Sequence, residues 1–167
     1  MNAIFTRRSV RQFSGAEVEE EKLDRVLRAA MQAPSATNQQ PWEFIVVKNR
    51  ELLEKLAGFS PYSKSLAGAY AGIIVLGNTE RMNIPTCWEQ DLGAATQNIL
   101  LQAADLGLGT VWYGVTGVLN NEEIVSEMFS LPANVRPYSV IAIGYPAKED
   151  ANRFIDRFDE SRIQVID

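Results

Sequence analysis

Two apolar patterns alternate along the chain. One places apolar residues every three or four positions, and the other is a short and almost wholly apolar run. Val18, Leu23, Val26, Leu27, Ala30 and Met31 follow the first pattern with charges between them, which predicts a helix with one buried face. The helix stops before Pro34, because proline disfavours helical geometry in the residue ahead of it. Residues 34–42, PSATNQQPW, are polar and bracketed by prolines, and read as a loop. Glu43–Val47 (EFIVV) reads as a strand, and a short helix follows over Glu51–Ala57. Residues 58–68 read as loop, Ala71–Leu76 (AGIIVL) as a second, buried strand, and 77–87 as a polar loop containing Pro85.

The longest apolar helix is predicted over Glu89–Leu106. Leu92, Ala95, Ile99 and Ala103 mark one face, and Leu100, Leu101 and Ala104 mark another. A helix apolar nearly all round is central in a domain or forms a subunit interface. Gly107 ends it. Thr110–Tyr113 (TVWY) is the third predicted strand. Asn120 or Asn121 caps a helix running to Phe129, with Glu122 and Glu123 in its first turn. Ser139–Ile143 (SVIAI) is the fourth strand, and the segment from Lys148 onward is charged and irregular. With no repeat, no low-complexity stretch and no second core, residues 1–167 are expected to form one α+β or α/β domain, with about four strands wrapped by helices.

Composition narrows the chemistry. A chain of 167 residues, 46% apolar and 22% charged, can bury a core without disulfides or metal. A net charge of −5 argues against general nucleic-acid binding, so local basic clusters matter more than the total. Cys87 is the only cysteine, which fits a reducing compartment. No apolar run suits a signal peptide or a membrane span, and the expected location is the cytoplasm. The absence of histidine removes the commonest general base and metal ligand. No cysteine or carboxylate cluster has metal-ligand spacing, so no metal site is expected.

Four segments hold candidate chemistry. Arg7-Arg8-Ser9-Val10-Arg11 sets three guanidinium groups and a hydroxyl within five residues. It is either a phosphate-monoester clamp or a solvated patch facing the acidic run Glu17, Glu19, Glu20 and Glu21. The loop 34–42 presents donors and acceptors suited to a heterocycle edge above Trp42, or is simply a connection facing water. Gly107-Leu108-Gly109 closes a helix and precedes a strand, the reverse of the order in a dinucleotide fingerprint, so a Rossmann site is rejected. Arg153, Arg157 and Arg162 are surface groups unless one folds back to join the N-terminal arginines.

Taken in order, RRSVRQF, APSATNQQPWEFIVV, DLGAATQNILLQAADLGLGTVWYGV, LPANVRPYSVIAIGYPAKE and DRFDESR resemble the nitroreductase family of FMN-dependent flavoproteins, in its compact branch. The resemblance covers nearly the whole chain. It implies an α+β fold of the α/β-type three-layer sandwich kind, with a central, mainly antiparallel sheet of about four strands flanked by helices. It also implies an obligate homodimer with two FMN sites at the interface. By motif position Arg7, Arg8, Ser9 and Arg11 hold the phosphate and ribityl chain, and Arg157 completes that end. Pro34, Ser35, Ala36 and Asn38 come from the other subunit and line the isoalloxazine. Trp112, Tyr113, Gly114 and Val115 run along its other edge, where a backbone N–H reaches toward N5, and Lys64 stands near N1.

The implied activity is ping-pong hydride transfer from NADH or NADPH, through flavin N5, to a small electron-poor acceptor such as a nitroaromatic or a quinone. The flavin carries the chemistry, so no catalytic side chain is expected. Two rivals stand beside this reading: a same-fold flavoenzyme with another reaction (ene reduction, dehalogenation or flavin fragmentation), and a non-catalytic FMN carrier or sensor. The chain departs from the family pattern at Ile155, where many members have lysine, a contact that Arg153 would then supply. That contact is otherwise simply missing. The chain departs again at Gln164, where histidine is common, and no aromatic residue follows before Asp167.

Overall fold

A computed structural model describes residues 2–166 of the protein; Asp167 lies outside them. In chain order the regular elements are α1 (Ala3–Thr6), α2 (Glu20–Ala30), β1 (Trp42–Val47), α3 (Arg50–Leu56), β2 (Ala71–Asn78), α4 (Trp88–Asp105), β3 (Gly109–Gly114), α5 (Asn121–Met128) and β4 (Val135–Gly144). The strands form one sheet in the order β1-β2-β4-β3, and every neighbouring pair is antiparallel. The α+β architecture read from the sequence is the observed one.

Alternation along the strands divides the core between the two faces of the sheet. Ile73 and Val75 of β2, with Ile141 and Ile143 of β4, face α2 and α4, where Leu23, Val26, Leu92 and Ile99 cover them. Ile74 and Leu76, with Val140 and Ala142, face the other way, onto Leu53 and Leu56 of α3 and Val125 of α5. Each fully buried leucine or isoleucine stabilises the fold by roughly 1.5–3 kcal/mol. The helix α4 therefore lies centrally, against the sheet. Its remaining side forms, with α2, a groove of about 430 Å³ whose floor includes Leu101 and Gln102.

Boundaries differ from the sequence expectation where local geometry intervenes. Val18 belongs to the apolar pattern, yet α2 begins at Glu20. Val18 lies outside the helix, just ahead of the N-cap Glu19, and is buried in the same cluster as Leu23, the arrangement of a hydrophobic staple. Gly107 (φ +77°) ends α4 as expected: its N–H donates to the Ala104 carbonyl, and that of Leu108 to the Ala103 carbonyl at 2.8 Å. The fourth strand starts at Val135 rather than Ser139 and passes Pro137 by means of a bulge, since Val75 pairs with Ser139 and Leu76 with Pro137. The extra residue is Tyr138, whose carbonyl accepts from the N–H groups of Val115 (3.0 Å) and Thr116 (3.2 Å). The loop 77–87 contains two short 3₁₀ turns, Thr79–Arg81 and Pro85–Cys87, and α1 has no counterpart in the sequence reading. Among the described residues no helix is long and apolar enough to cross a membrane.

The outer edge of β3 is partly occupied. Residues 9 and 10 lie alongside it, with a parallel bridge between Ser9 and Thr110. A Cβ added at Gly109 would come within 2.7 Å of a Val10 methyl, so only glycine allows this approach. We expect Gly109→Ala to destabilise the protein by about 1–3 kcal/mol, as overpacking does elsewhere. An unchanged urea midpoint would show that the contact relaxes at no cost.

Candidate functional site

The basic segment is sewn into the sheet's end. The Val10 N–H donates to the Thr110 carbonyl at 2.8 Å, the Ser14 N–H to the Tyr145 carbonyl and the Ala147 N–H to the Gln12 carbonyl, both at 2.9 Å. Extended backbone alternates its side chains. Val10 is therefore buried, and Ser9 and Arg11 point outward. The chain end is drawn to the same place by Asn152. Its Oδ1 accepts from the Arg8 N–H (3.1 Å), and its Nδ2 donates to the Leu108 carbonyl (3.0 Å).

These tethers form a cleft of about 430 Å³ lined by Arg7, Arg8, Ser9 and Arg11 on one side, and by Ala151, Arg153, Ile155 and Arg157 on the other. Five guanidinium groups meet there with no carboxylate in the lining. The Arg7 guanidinium is pushed below its ordinary range, first by burial and then by the charges of Arg8 and Arg157. That of Arg8 is pushed down by loss of water, then by Arg157 and Arg153. Arginine stays protonated regardless, so what the shifts record is lost hydration first and like-charge repulsion second. Among the described residues Arg153 pairs with Asp150 at 3.4 Å, whereas Arg7, Arg8, Arg11 and Arg157 form no ion pair. Two donors of Arg8 are spent on the carbonyls of Arg7 (2.6 Å) and Phe5 (3.2 Å), but its Nε is buried with no acceptor. A buried unpaired donor is costly. An anion in the cleft would satisfy the donor and neutralise the cluster together.

A second cleft, of about 450 Å³, shares one lining residue with the first. Arg11 lines both, and Trp112, Tyr113, Gly114 and Val118 of the β3 edge, with Ser60 and Tyr62, complete it. The Thr110 carbonyl faces the outer edge, where it meets Val10. By the two-residue repeat, the N–H groups of Trp112 and Gly114 turn to that same side. The Trp112 ring is held from behind by Tyr138, 5.9 Å between centroids. Val115 stands differently from its neighbours: its side chain is fully buried in the α3–α5 core, and its N–H is used by Tyr138.

The remaining sequence candidates lie elsewhere. Lys64 is exposed at the start of a 3₁₀ turn (Lys64–Gly68) and lines neither cleft; its neighbour Ser65 hydrogen-bonds the Tyr113 hydroxyl. Tyr62, from the same loop, is the residue that reaches the second cleft. Pro34, Ser35, Ala36 and Asn38 line neither cleft within this chain. Their loop is tightly specified all the same. Thr37, Asn38 and Gln40 adopt φ of 50°, 57° and 46°. The Ser35 hydroxyl accepts from the Gln40 N–H (3.0 Å), and the Asn38 side-chain oxygen accepts from the Gln40 amide (2.9 Å). The residues that sequence reasoning missed are Asn152, Ser60, Val118 and Ala151. None belongs to a charged or glycine-rich signal, and only contacts between distant segments bring them to the site. Among the described residues no cluster suited to a metal ion is found.

Known proteins resemble the chain over nearly its whole length. The model of the nitroreductase family matches residues 4–61 and 68–145. A protein of Methanothermobacter thermautotrophicus, provisionally named an NADH dehydrogenase/NAD(P)H nitroreductase, is 46% identical over 165 residues, covering 99% of this chain and 85% of the relative. A crystal structure from Clostridium acetobutylicum, provisionally named an NADH oxidase, superposes with a TM-score of 0.94 at 50% identity, covering 98% of each chain. A nitroreductase, provisionally so named, from Desulfovibrio desulfuricans, solved in complex with FMN, gives a TM-score of 0.83 at 30% identity over 99% of this chain and 95% of that one.

The charge cluster makes a direct prediction. Inorganic phosphate added to flavin-free protein at low salt should raise its melting temperature by about 2–4 °C, the shift expected of roughly 1 kcal/mol in a chain of this size. The double variant Arg8→Ala/Arg157→Ala should lose most of that rise. Calorimetric scans that show no phosphate effect on the unmodified chain would remove the anion-site assignment.

Proposed function

The chain belongs to the nitroreductase family, and from that premise we propose that it is an FMN-dependent oxidoreductase passing hydride from NADH or NADPH to a small electron-poor acceptor, such as a nitroaromatic or a quinone, in a ping-pong cycle. The observation that carries this reading is the arginine cleft with its orphaned Arg8 Nε, which shares Arg11 with a slot along the β3 edge. A flavin mononucleotide has the matching shape: a phosphate at one end and a flat ring at the other.

The donor set suits that ligand. Arg7, Arg8, Arg11, Arg153 and Arg157, with the Ser9 hydroxyl, hold a phosphate monoester carrying close to two negative charges. Arg153 stands in for the lysine that many members have at the position of Ile155, and the Ile155 side chain lines the same cleft without charge. Trp112, Tyr113 and Gly114 border the ring slot, with backbone N–H groups available along the open edge, while Tyr62 closes its mouth. Bound FMN supplies hydride exchange at N5. The chain's own work is to fix the ring, exclude water from one side and leave the other open. Neither task needs a histidine.

The active form is a homodimer. Large exposed apolar side chains gather at the two ends of the chain: Ile4 and Phe5 at one, Phe154, Ile155, Phe158, Ile163, Val165 and Ile166 at the other. Exposed apolar side chains in this number suit a contact surface. In the dimer, the loop bearing Pro34, Ser35, Ala36 and Asn38 covers the flavin ring of the other subunit. This explains why a loop so tightly specified lines neither cleft of its own chain.

A visible absorbance spectrum of purified protein, before and after anaerobic addition of NADH or NADPH, tests cofactor and hydride input together. The expected result is a flavin spectrum that bleaches on reduction; protein that neither carries nor binds FMN overturns the reading. Arg11→Ala, at the junction of the two clefts, should weaken FMN binding by roughly tenfold to a hundredfold, the effect of losing a charge-assisted contact, while gel filtration still shows the dimer. Undiminished flavin content in that variant would refute the junction role.

A further inference from the structure

The loop proposed to cover the flavin ring is strained, and the structure shows what holds it. Three non-glycine residues, Thr37, Asn38 and Gln40, occupy the left-handed region. Each such residue is disfavoured by its own Cβ, and a run of them persists only where the surroundings over-determine it. The surroundings here converge on one buried carboxylate. Asp91, in the first turn of α4, is 4% exposed. Its Oδ1 accepts from the Ala36 N–H at 2.9 Å, and its Oδ2 accepts from the Gln39 side-chain amide at 2.5 Å. Gln39, itself buried, extends the hold. Its Oε1 accepts from the Ile84 N–H (2.8 Å), and its Nε2 also reaches the Ile84 carbonyl (3.3 Å).

Among the described residues Asp91 has no cationic partner. Its charge is met instead by the Ala36 N–H, the Gln39 amide and the N-terminal end of an 18-residue helix, whose dipole favours a negative group there. Burying a carboxylate is expensive. As a mere helix-terminus charge it would stand in water, as Glu89 does in the same turn. The buried position makes sense if the task is to set the loop.

We propose that Asp91 is a positioning residue for the flavin: it locks residues 35–40 in the left-handed geometry that presents Ser35, Ala36 and Asn38 to the ring of the other subunit, with Gln39 as the link between them. The inference rests on the proposed function and deepens it. Asp91 touches neither cofactor nor substrate and acts only through the loop. The helix is rigid and packed on the sheet, so the loop takes its position from the core rather than from its own flexible ends. The two bonds differ in what they require. Ala36 needs only an acceptor, whereas the Gln39 amide, committed through Oε1 to Ile84, needs a second acceptor on the same residue 91 side chain. Asparagine supplies the first and not the second. Alanine supplies neither.

The test uses full-length protein loaded with FMN, comparing Asp91→Ala, Asp91→Asn and the unmodified chain. The readouts are the FMN dissociation constant, the positions of the flavin absorbance bands, and the flavin midpoint potential. Asp91→Ala should weaken FMN binding about tenfold, as loss of hydrogen bonds to a charged group does, move the bands toward those of free FMN and shift the potential. Asp91→Asn should fall between the two. Since it keeps the size of the side chain, it decides the matter should Asp91→Ala fail to fold. A purely structural role would lower the melting temperature but leave bands and potential unchanged in whatever protein remains folded and loaded, and that result overturns the proposal. If the unmodified chain binds no FMN, the functional reading itself falls. If it binds FMN and both variants match it, only the role of Asp91 falls.

Discussion

The site depends on the outer edge of β3, the last strand of the sheet. A sheet edge offers unpaired backbone groups, and here they are divided between two uses. At Gly109 and Thr110 the edge pairs with residues 9 and 10, and the missing side chain of Gly109 lets Val10 sit against the backbone. Beyond Thr110 the edge is left open, and the slot along Trp112 and Gly114 is what remains. The same strand thus anchors the arginine segment and borders the ring slot. The bulge at Tyr138 adds to this, because its carbonyl accepts from both Val115 and Thr116 just past the end of the strand, where Val115 continues the inward-facing series of Val111 and Tyr113.

Electrostatics then separates the two ends of the site. The arginine end gathers like charges, and burial, with their mutual repulsion added, pushes two of them below their ordinary range. A fold would not favour such a cluster for its own stability, and the unpaired Arg8 Nε carries the same message. The second cleft has Arg11 as its one charged lining residue and is otherwise built from aromatic, small and backbone groups. A ligand with a charged tail and a flat, weakly polar head is read correctly by both. The loop at 34–42 fits this division as a third, detached component, rigid in itself and tied to the body by a buried carboxylate. Strain at Thr37, Asn38 and Gln40 is kept because packing opposes its release.

Much of the fold was legible in the sequence, for identifiable reasons. The run AGIIVL could only be a strand buried on both faces, and β2 is indeed central. Periodicity located α2 and α4, and Gly107 marked the end of α4 because a left-handed residue is needed there. Boundaries were less legible. Val18 carries the helical pattern without being helical, since apolar residues just ahead of a helix pack on the same core. Pro137 hid the first half of β4, because a proline argues against a strand unless a bulge removes the need for its N–H.

For the site, the sequence determined which chemistry was present: a basic run, a stiff polar loop, an aromatic strand and a histidine-free chain, in an order that pointed to one family. It left open whether the basic run was a clamp or a patch, because a charge run looks the same in either role. Only the tertiary structure brings Arg153 and Arg157 across the length of the chain to line one cleft with Arg7 and Arg8, with Asn152 tethering the two segments, and that arrangement favours the clamp. It also separated Val115 and Lys64 from their neighbours, since membership of a motif does not say which side chains turn inward. The reason is general: local pattern fixes element type and residue chemistry, whereas which distant groups share a cleft depends on sheet order, edge pairing and a few long-range hydrogen bonds.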